Sequence, residues 1–493
     1  MKTITSLLRK PLFSASAACL ALCASGCVTK PDTTPALDGI AIPLDWAAPA
    51  NPNGVEGEWW LSFGDPVLNQ LIAESLLENT AIAQAEAQAA QAYQQMRLVD
   101  ADRLPTLAGA FNASRRKQSL AGSGLGGFLG GGENAATSFE NDNFALQLNV
   151  DWEIDLWGRI ANQKAAAVEE LLAAEESLRA VRQSVAAQTA KAYFAVVEGQ
   201  QQVAFTEETV AALGETARQL SNRADIGIGA PADKQLSISN FESARAGLQQ
   251  RRQALESAKR QLQFLLRDYP TGDIAVDSEL PERLKPIPAG LPSELLQRRP
   301  DVLAAEKALR ASVFRLEAAE RSFFPSISLT GSYGTQSTEL ENLLDNDFSV
   351  WSIAGQLVQP IFQGGRIIAN INIADAARRE AAEAYAEAVL NAFLEVETAL
   401  AFEQLFAERE AAQLRAFESA SEAERINMNR YQEGLVPYIN VLESQQRALE
   451  AKSAYLEARR ARLENRIDLH LALGGGALSP TATDSQPSSE DTP

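Results

Sequence analysis

Few side chains in this sequence are of types that do chemistry. The chain has one histidine, His470, and a single imidazole does not make a metal site. The glycine-rich stretch 122–132 lacks the Gly-Lys-Ser/Thr ending of a phosphate-binding loop and does not open a helix. The many carboxylates are dispersed along Ala/Glu-rich segments, where they form solvated faces. The sequence therefore argues against an enzyme and against a cofactor, and we expect His470 at a surface or interface.

One residue does predict a covalent modification. Residues 1–26 have the basic start and the short apolar stretch of a secretory signal peptide, and they end in Ala24-Ser25-Gly26-Cys27, which resembles a bacterial lipoprotein cleavage box. All three cysteines lie in the first 27 residues, so the mature chain has no disulfide framework. We expect a diacylglycerol and an acyl chain on Cys27, which makes 27–60 a lipid-anchored segment. The alternative is that Cys27 is a remnant of the signal.

Net charge and hydropathy argue against nucleic-acid binding and against membrane-spanning helices. The net charge of −20 falls to about −23 without the signal peptide, which argues against nucleic acid as a partner. No later segment has 18 consecutive apolar residues, so no α-helix is expected to span a membrane. Any passage through a membrane must then be made by strands.

Four segments alternate strictly between apolar and polar residues, as transmembrane strands do. They are expected at about 104–116, 141–156, 324–336 and 348–361. The apolar set includes Leu148, Val150, Leu329 and Tyr333, and we expect it to face lipid. The alternative is a soluble sheet with one face on a core. Four strands cannot close a barrel, and unpaired edges in lipid are costly, so the chain should oligomerise; a trimer would supply twelve strands.

Long helices adjoin these strands, and the whole pattern occurs twice. The runs from Arg159 to Arg223 and from Arg366 to Tyr431 lack proline and would each extend roughly 95 Å as helices. Their apolar residues recur at intervals of three and four residues, which predicts coiled-coil packing. Leu390 is among the residues expected in the packed seam of the second run. Each run ends at a glycine turn, and a shorter helix returns.

This duplication predicts the domain organisation. A first repeat is expected over 61–267, a Pro-rich linker over 268–292, and a second repeat over 293–476. The tail 477–493 is polar and should be disordered. The predicted fold is an α+β membrane protein, with a duplicated antiparallel coiled-coil body and four transmembrane β-strands per protomer.

With these features in place, the chain resembles the TolC-like outer-membrane efflux factors, in their lipoprotein branch. The resemblance spans about residues 20–476 and rests on four stretches: Glu58 to Pro66, Asp155-Leu156-Trp157-Gly158-Arg159, Gln297 to Val302, and Tyr431 to Glu443. It implies a homotrimer in the cell outer membrane, with a twelve-stranded barrel continued by a helical tunnel through the periplasm. It also implies a periplasmic adaptor and an inner-membrane pump as partners, and export of small molecules.

The resemblance also implies an aperture where the glycine turns meet. Tyr431 matches the family tyrosine whose contacts tie neighbouring helices together. Asn440 and Glu443 fall on positions that are acidic in the best-known member, and Val436 falls where that member has a basic lock residue. In a trimer Glu443 and Asp233 would each appear three times around a narrow opening, where clustered carboxylates attract cations. The plainer alternatives are that Asp233 caps the returning helix and that Glu443 is solvated.

Two other functions stay open at this point. The outer duct of a protein-secretion system can share this fold, although the lipoprotein start and the Arg298-Arg299-Pro300-Asp301 stretch favour small-molecule efflux. A lipid-anchored periplasmic scaffold without a pore is a possibility from another class.

Overall fold

The computed structural model describes residues 31–37, 39–40, 42–48, 57–119, 138–276, 279–281, 284–287, 289–290 and 292–475. Three predictions lie outside these residues: the signal peptide 1–26, the acylation of Cys27 and the disordered tail 477–493. None of them is tested by the structure.

The described chain contains eight α-helices and one four-stranded sheet. In chain order these are α1 Pro66–Glu78, α2 Thr80–Ala101, β1 Thr106–Ser119, β2 Ser138–Ile154, α3 Arg159–Asp225, α4 Pro231–Leu265, α5 Pro292–Arg298, α6 Pro300–Arg321, β3 Ser326–Ser337, β4 Ser349–Val358, α7 Arg366–Gln432 and α8 Tyr438–Ala472. The predicted strands are confirmed, with bounds that differ by a few residues.

The duplication is confirmed by the lengths of the helices. Helices α2 and α6 both have 22 residues, α3 and α7 both have 67, and α4 and α8 both have 35. The same alternation of helix and strand therefore recurs with equal element sizes.

The sheet is antiparallel throughout, in the order β1-β2-β3-β4. Thr106 lies opposite Asp151 in the first strand pair, and Ser326 lies opposite Val358 in the last. The turn after β2 is fixed by Trp157, whose ring stacks on Phe324 at 5.1 Å and whose indole N–H donates to the Pro325 carbonyl at 2.8 Å. Among the described residues, β1 pairs only with β2 and β4 only with β3, so the sheet has two open edges.

The pairing confirms the two faces that alternation predicts. Leu107 lies opposite Val150, Leu148 lies opposite Tyr333, and Tyr333 lies opposite Trp351, so the apolar residues of all four strands share one face. This apolar face is exposed: Leu148 is 50% exposed, Tyr333 61% and Trp351 73%. The described strands thus present a broad apolar surface that no described residue covers, which is the pattern of a surface that meets lipid or another chain.

The helical core lies around the tryptophans that follow the N-terminal segment. Trp59, Tyr193 and Phe194 are fully buried in a cluster that includes residues of α1, α3, α4 and α8. Asp65 caps α1 by accepting from the Val67 N–H at 2.9 Å and also accepts a hydrogen bond from the Tyr193 hydroxyl. The stretch from Glu58 to Pro66 therefore attaches the N-terminal part of the chain to the helical core through Trp59 and Asp65.

Two detailed predictions about the helices are wrong. His470 is only 4% exposed and stacks on Trp59 at 5.4 Å, so it belongs to the core and not to a surface. The buried stripe of α7 consists of Tyr385, Val389, Ala392, Val396, Ala399 and Leu400, whereas Leu390 is 53% exposed. One residue along a helix is a rotation of about 100°, so Leu390 falls off the stripe.

The chain divides into two compact units. One contains the strands and comprises 1–33, 91–171 and 307–382; the other is helical and comprises 34–90, 172–306 and 383–493. Each unit takes segments from both sequence repeats, and the predicted repeat boundaries at 61–267 and 293–476 stay a prediction. No helix among the described residues is both long and apolar enough to cross a bilayer.

Candidate functional site

The residues at the two glycine turns form the first candidate site, and the turns have the same geometry. Gly434 has φ 73°, its N–H donates to the Tyr431 carbonyl, and the Leu435 N–H reaches back to the Arg430 carbonyl at 2.8 Å. Gly227 has φ 77°, and the Ile228 N–H donates to the Arg223 carbonyl at 3.0 Å. This is a Schellman ending, which needs a residue in the left-handed region and therefore favours glycine.

A pair of tyrosines ties the second turn together. The rings of Tyr431, at the end of α7, and Tyr438, at the start of α8, lie 5.3 Å apart at 53°. Tyr438 and Val441 form a buried cluster with Leu220 of α3, and Tyr431 packs against it. The two aromatic rings thus join the ends of three helices.

Burial and a nearby carboxylate keep both phenols protonated. Burial raises the pKa of Tyr438 to about 12, and the neighbouring Tyr431 and Asp233 add to the effect. The pKa of Tyr431 is raised by burial and by the negative charge of Asp233, while Arg223 opposes the shift. At neutral pH both hydroxyls are therefore protonated and able to donate a hydrogen bond. Among the described residues, the buried Tyr438 hydroxyl has no hydrogen-bond partner.

Asp233 and Asn440 occupy equivalent positions in the two returning helices, since each is the third residue of its helix. The N-cap of α4 is Ala230 and no side chain caps that end, so Asp233 does not act as the cap. Its carboxylate instead lies in the first turn, where a negative charge is favourable.

Glu443 lies on an exposed part of α8 and is 3.9 Å from Arg447, one helical turn away. The structure thus brings Tyr431 and Asp233 into one electrostatic neighbourhood, whereas Asn440 and Glu443 are exposed in the single protomer. Sequence reasoning missed Tyr438. Tyr438, Val441 and Ala448 are three and then seven residues apart, which places them on one face of the helix, and this spacing was the signal that could have found Tyr438.

The second candidate site is the apolar face of the sheet with its two open edges. Charged pairs mark one end of this face: Arg115 lies 3.1 Å from Glu140 and 3.3 Å from Asp142, with Arg115 and Glu140 exposed and Asp142 half-buried. The alternating stretch that follows along β2, from Phe144 to Ile154, spans 11 residues and has its apolar side chains on this face. About 9–11 strand residues suffice to cross the hydrocarbon core.

Among the described residues, no group of three or more His, Cys, Asp or Glu side chains could hold a metal ion. The arrangement offers an exposed apolar surface on the sheet and an aromatic junction where the ends of three helices meet.

The chain is similar to known proteins over nearly its whole length. The family model described as "Outer membrane efflux protein" matches residues 71–266 and 291–475. The outer membrane protein OprJ of Pseudomonas aeruginosa is 32% identical over 477 residues, covering 95% of this chain and 97% of that protein. The cation efflux system protein CusC of Escherichia coli K12 is 32% identical over a match that covers 93% of this chain and 98% of that protein. The structure of the open MtrE outer membrane channel of Neisseria gonorrhoeae matches with TM-score 0.77 and 29% identity, covering 91% and 97%.

Proposed function

Since the chain belongs to the outer membrane efflux protein family and is an outer-membrane efflux channel, we propose that it is a passive duct for small molecules. In this proposal a periplasmic adaptor and an inner-membrane pump supply the substrate and the energy, and this protein supplies the path through the outer membrane. The relatives named above include a cation efflux protein, so small solutes fit the proposal better than secreted proteins do.

One observation carries the proposal: the four-stranded sheet has an exposed apolar face and two open edges. In hydrocarbon, each unpaired backbone group costs several kcal/mol, so the edges must be paired with other strands. We propose that three copies close a twelve-stranded barrel, with the polar face of each sheet lining the pore. A soluble sheet of this kind would need a covered apolar face, and the described residues do not cover it.

The second element of the proposal is closure of the duct where the glycine turns meet. The Tyr431 and Tyr438 pair fixes the end of α7 against α8 and α3, and Asp233 and Glu443 place negative charge near this end. We propose that Tyr431 helps to hold the closed state and that Glu443 gives the opening a preference for cations, with Asn440 and Asp233 at equivalent places around it. Three copies would concentrate these charges.

Conductance across planar bilayers tests both elements. The purified protein should give discrete conductance steps, and Tyr431→Phe should raise the conductance of each channel if the hydroxyl helps closure. Glu443→Ala should weaken block by divalent and trivalent cations. Tyr455→Phe and Glu457→Ala change the same residue types elsewhere on α8 and should behave as the unaltered protein.

The outcomes are distinct. Assembled protein that never conducts, even with Tyr431 replaced, would support a scaffold in place of a channel. If conductance appears but neither substitution changes it or the cation block, the channel stands and its closure lies elsewhere, such as at Leu435 and Val436.

The third element is the membrane anchor. We propose that Cys27 becomes the acylated first residue of the mature chain, because the box before it fits and no other mature cysteine exists. The intact mass should show a diacylglyceryl-plus-acyl increment, and Cys27→Ser should remove it without abolishing insertion, since the strands anchor the protein independently. Absence of labelled palmitate on the unaltered protein would refute the assignment.

A further inference from the structure

The internal duplication defines how β4 of one copy should pair with β1 of the next. The two repeats can be matched residue by residue: Thr106 to Ser326 at the start of β1 and β3, and Arg159 to Arg366 at the start of α3 and α7. The first match shifts numbers by 220, and the second by 207. In repeat one, Thr106 of β1 lies opposite Asp151 of β2. Adding 220 to the first number and 207 to the second gives Ser326 and Val358, and these two residues do lie opposite each other in β3 and β4.

The internal contact between the repeats is the template for the contact between copies. Within the protomer, the second strand of repeat one, β2, pairs with the first strand of repeat two, β3. The equivalent neighbour of β4 is a strand that starts a repeat, and among the described strands β1 is the one of this kind that has an open edge. Four strands cannot close on themselves, so this β1 belongs to another copy. The occupant of the open edge is therefore a second copy of this chain.

We propose that β4 pairs with the neighbouring copy's β1 in the register that places Leu357 opposite Phe111. The template is the observed pair of Val150 in β2 and Gly331 in β3. Adding 207 to 150 moves the β2 residue to Leu357 in β4, and subtracting 220 from 331 moves the β3 residue to Phe111 in β1. This proposal rests on the assembly described under the proposed function, and it adds the residue pairs that join the copies.

The chemistry of the strands fits this register. It places Gly355 opposite Ala113 and Leu357 opposite Phe111 on the apolar face, and it places Ile353 opposite Arg115 where the charged end of the face begins. It also places Trp351 opposite Lys117, where an indole and an ammonium attract each other. Trp351 is 73% exposed, Leu357 64% and Phe111 56% in the single protomer, so all three are accessible to a partner. A slip by one residue would turn every apolar side chain to the opposite face.

Engineered disulfides test the register. In full-length protein reconstituted in detergent, Phe111→Cys combined with Leu357→Cys should cross-link on mild oxidation and give covalent dimers and trimers in denaturing gels. The bond cannot form within one chain, because β1 and β4 are three strand spacings apart, about 14 Å, and a disulfide needs about 7 Å or less between Cα atoms. Ala113→Cys with Gly355→Cys belongs to the same register and should do the same.

Two controls make the outcomes separable. Val150→Cys with Gly331→Cys reproduces the template pair and should close a bond within the chain, without a change in oligomer mass. Gly109→Cys with Leu357→Cys is shifted by two residues and should not cross-link. If the shifted pair cross-links in place of the two predicted pairs, the register is wrong while the assembly stands. If none of the intermolecular pairs cross-links and light scattering gives a monomer, the proposed assembly itself fails.

Discussion

Replacing His470 with phenylalanine should make the helical core less sensitive to acid. His470 is 4% exposed, its ring stacks on Trp59 at 17°, and neither ring nitrogen has a hydrogen-bond partner among the described residues. Burial, with a smaller contribution from the positive charge of Arg466, lowers its pKa from 6.5 to about 3. The buried ring is therefore neutral at physiological pH.

The sign and size of the effect follow from this shift. Between pH 6.5 and about 3, the unfolded chain binds a proton at His470 that the folded chain does not bind, so stability falls as the pH falls. The loss is about 1.4 kcal/mol per pH unit and on the order of 5 kcal/mol over the whole window. Phenylalanine keeps the stack with Trp59 and has no proton to bind. Near pH 7.5 it should be neutral or stabilising by about 1–3 kcal/mol, because two unpaired polar atoms are removed.

Hydrogen exchange measures this locally. Backbone amides of α8 around residues 463–473 should exchange with an opening free energy that drops below pH 6.5 in the unaltered protein. In His470→Phe the opening free energy should fall less steeply with pH, by about 1.4 kcal/mol per pH unit. The comparison between the two proteins removes the contribution of the many carboxylates. Equal pH dependence in both proteins would refute the reasoning.

Two pairs of substitutions test the sheet. Leu148→Arg on the apolar face should destabilise the inserted protein by about 2–4 kcal/mol, whereas Ser328→Arg on the polar face should destabilise it less. The amount of heat-resistant oligomer on gels measures this difference, and an equal loss in both variants would indicate a sheet buried on both faces. A Cβ at Gly334 would lie 2.7 Å from the Cα of Gln147 and closer still to a backbone oxygen, so Gly334→Ala should abolish the assembled oligomer, while Gly355→Ala, which meets nothing within 4 Å, should be tolerated. Normal assembly of both glycine variants would contradict the close packing of β2 against β3.

The sequence was sufficient for the strands and for the duplication. Alternation with a period of two depends only on which face is apolar, so the set of Leu148, Val150, Leu329 and Tyr333 could be assigned before any pairing was known. The equal helices α3 and α7 follow from long runs without proline.

Tertiary packing decided what the sequence did not. His470 is buried because Trp59, more than 400 positions away, docks against the end of α8, and no local pattern encodes that contact. Tyr438 follows a proline at a turn and looks like a surface residue, but Leu220 and Tyr431 enclose it. The spacing of apolar residues predicts Leu390 in the coiled-coil seam, yet an Ala-rich helix offers several stripes of similar hydropathy. The packing partners of α7 bury the stripe that contains Val389 and Val396.

Lipid accessibility along β2 tests the central claim most directly. Spin labels placed one at a time at positions 145–151 of the full-length protein, reconstituted in lipid vesicles, report collisions with oxygen in the bilayer and with a water-soluble nickel complex. We expect strict alternation, with 146, 148 and 150 accessible to oxygen and 147, 149 and 151 accessible from the aqueous side, while 145, where Ala145 is buried, is protected from both reagents. Uniform accessibility, or protection of 146, 148 and 150 from both reagents, would show that this face does not meet lipid and would contradict a membrane-spanning sheet.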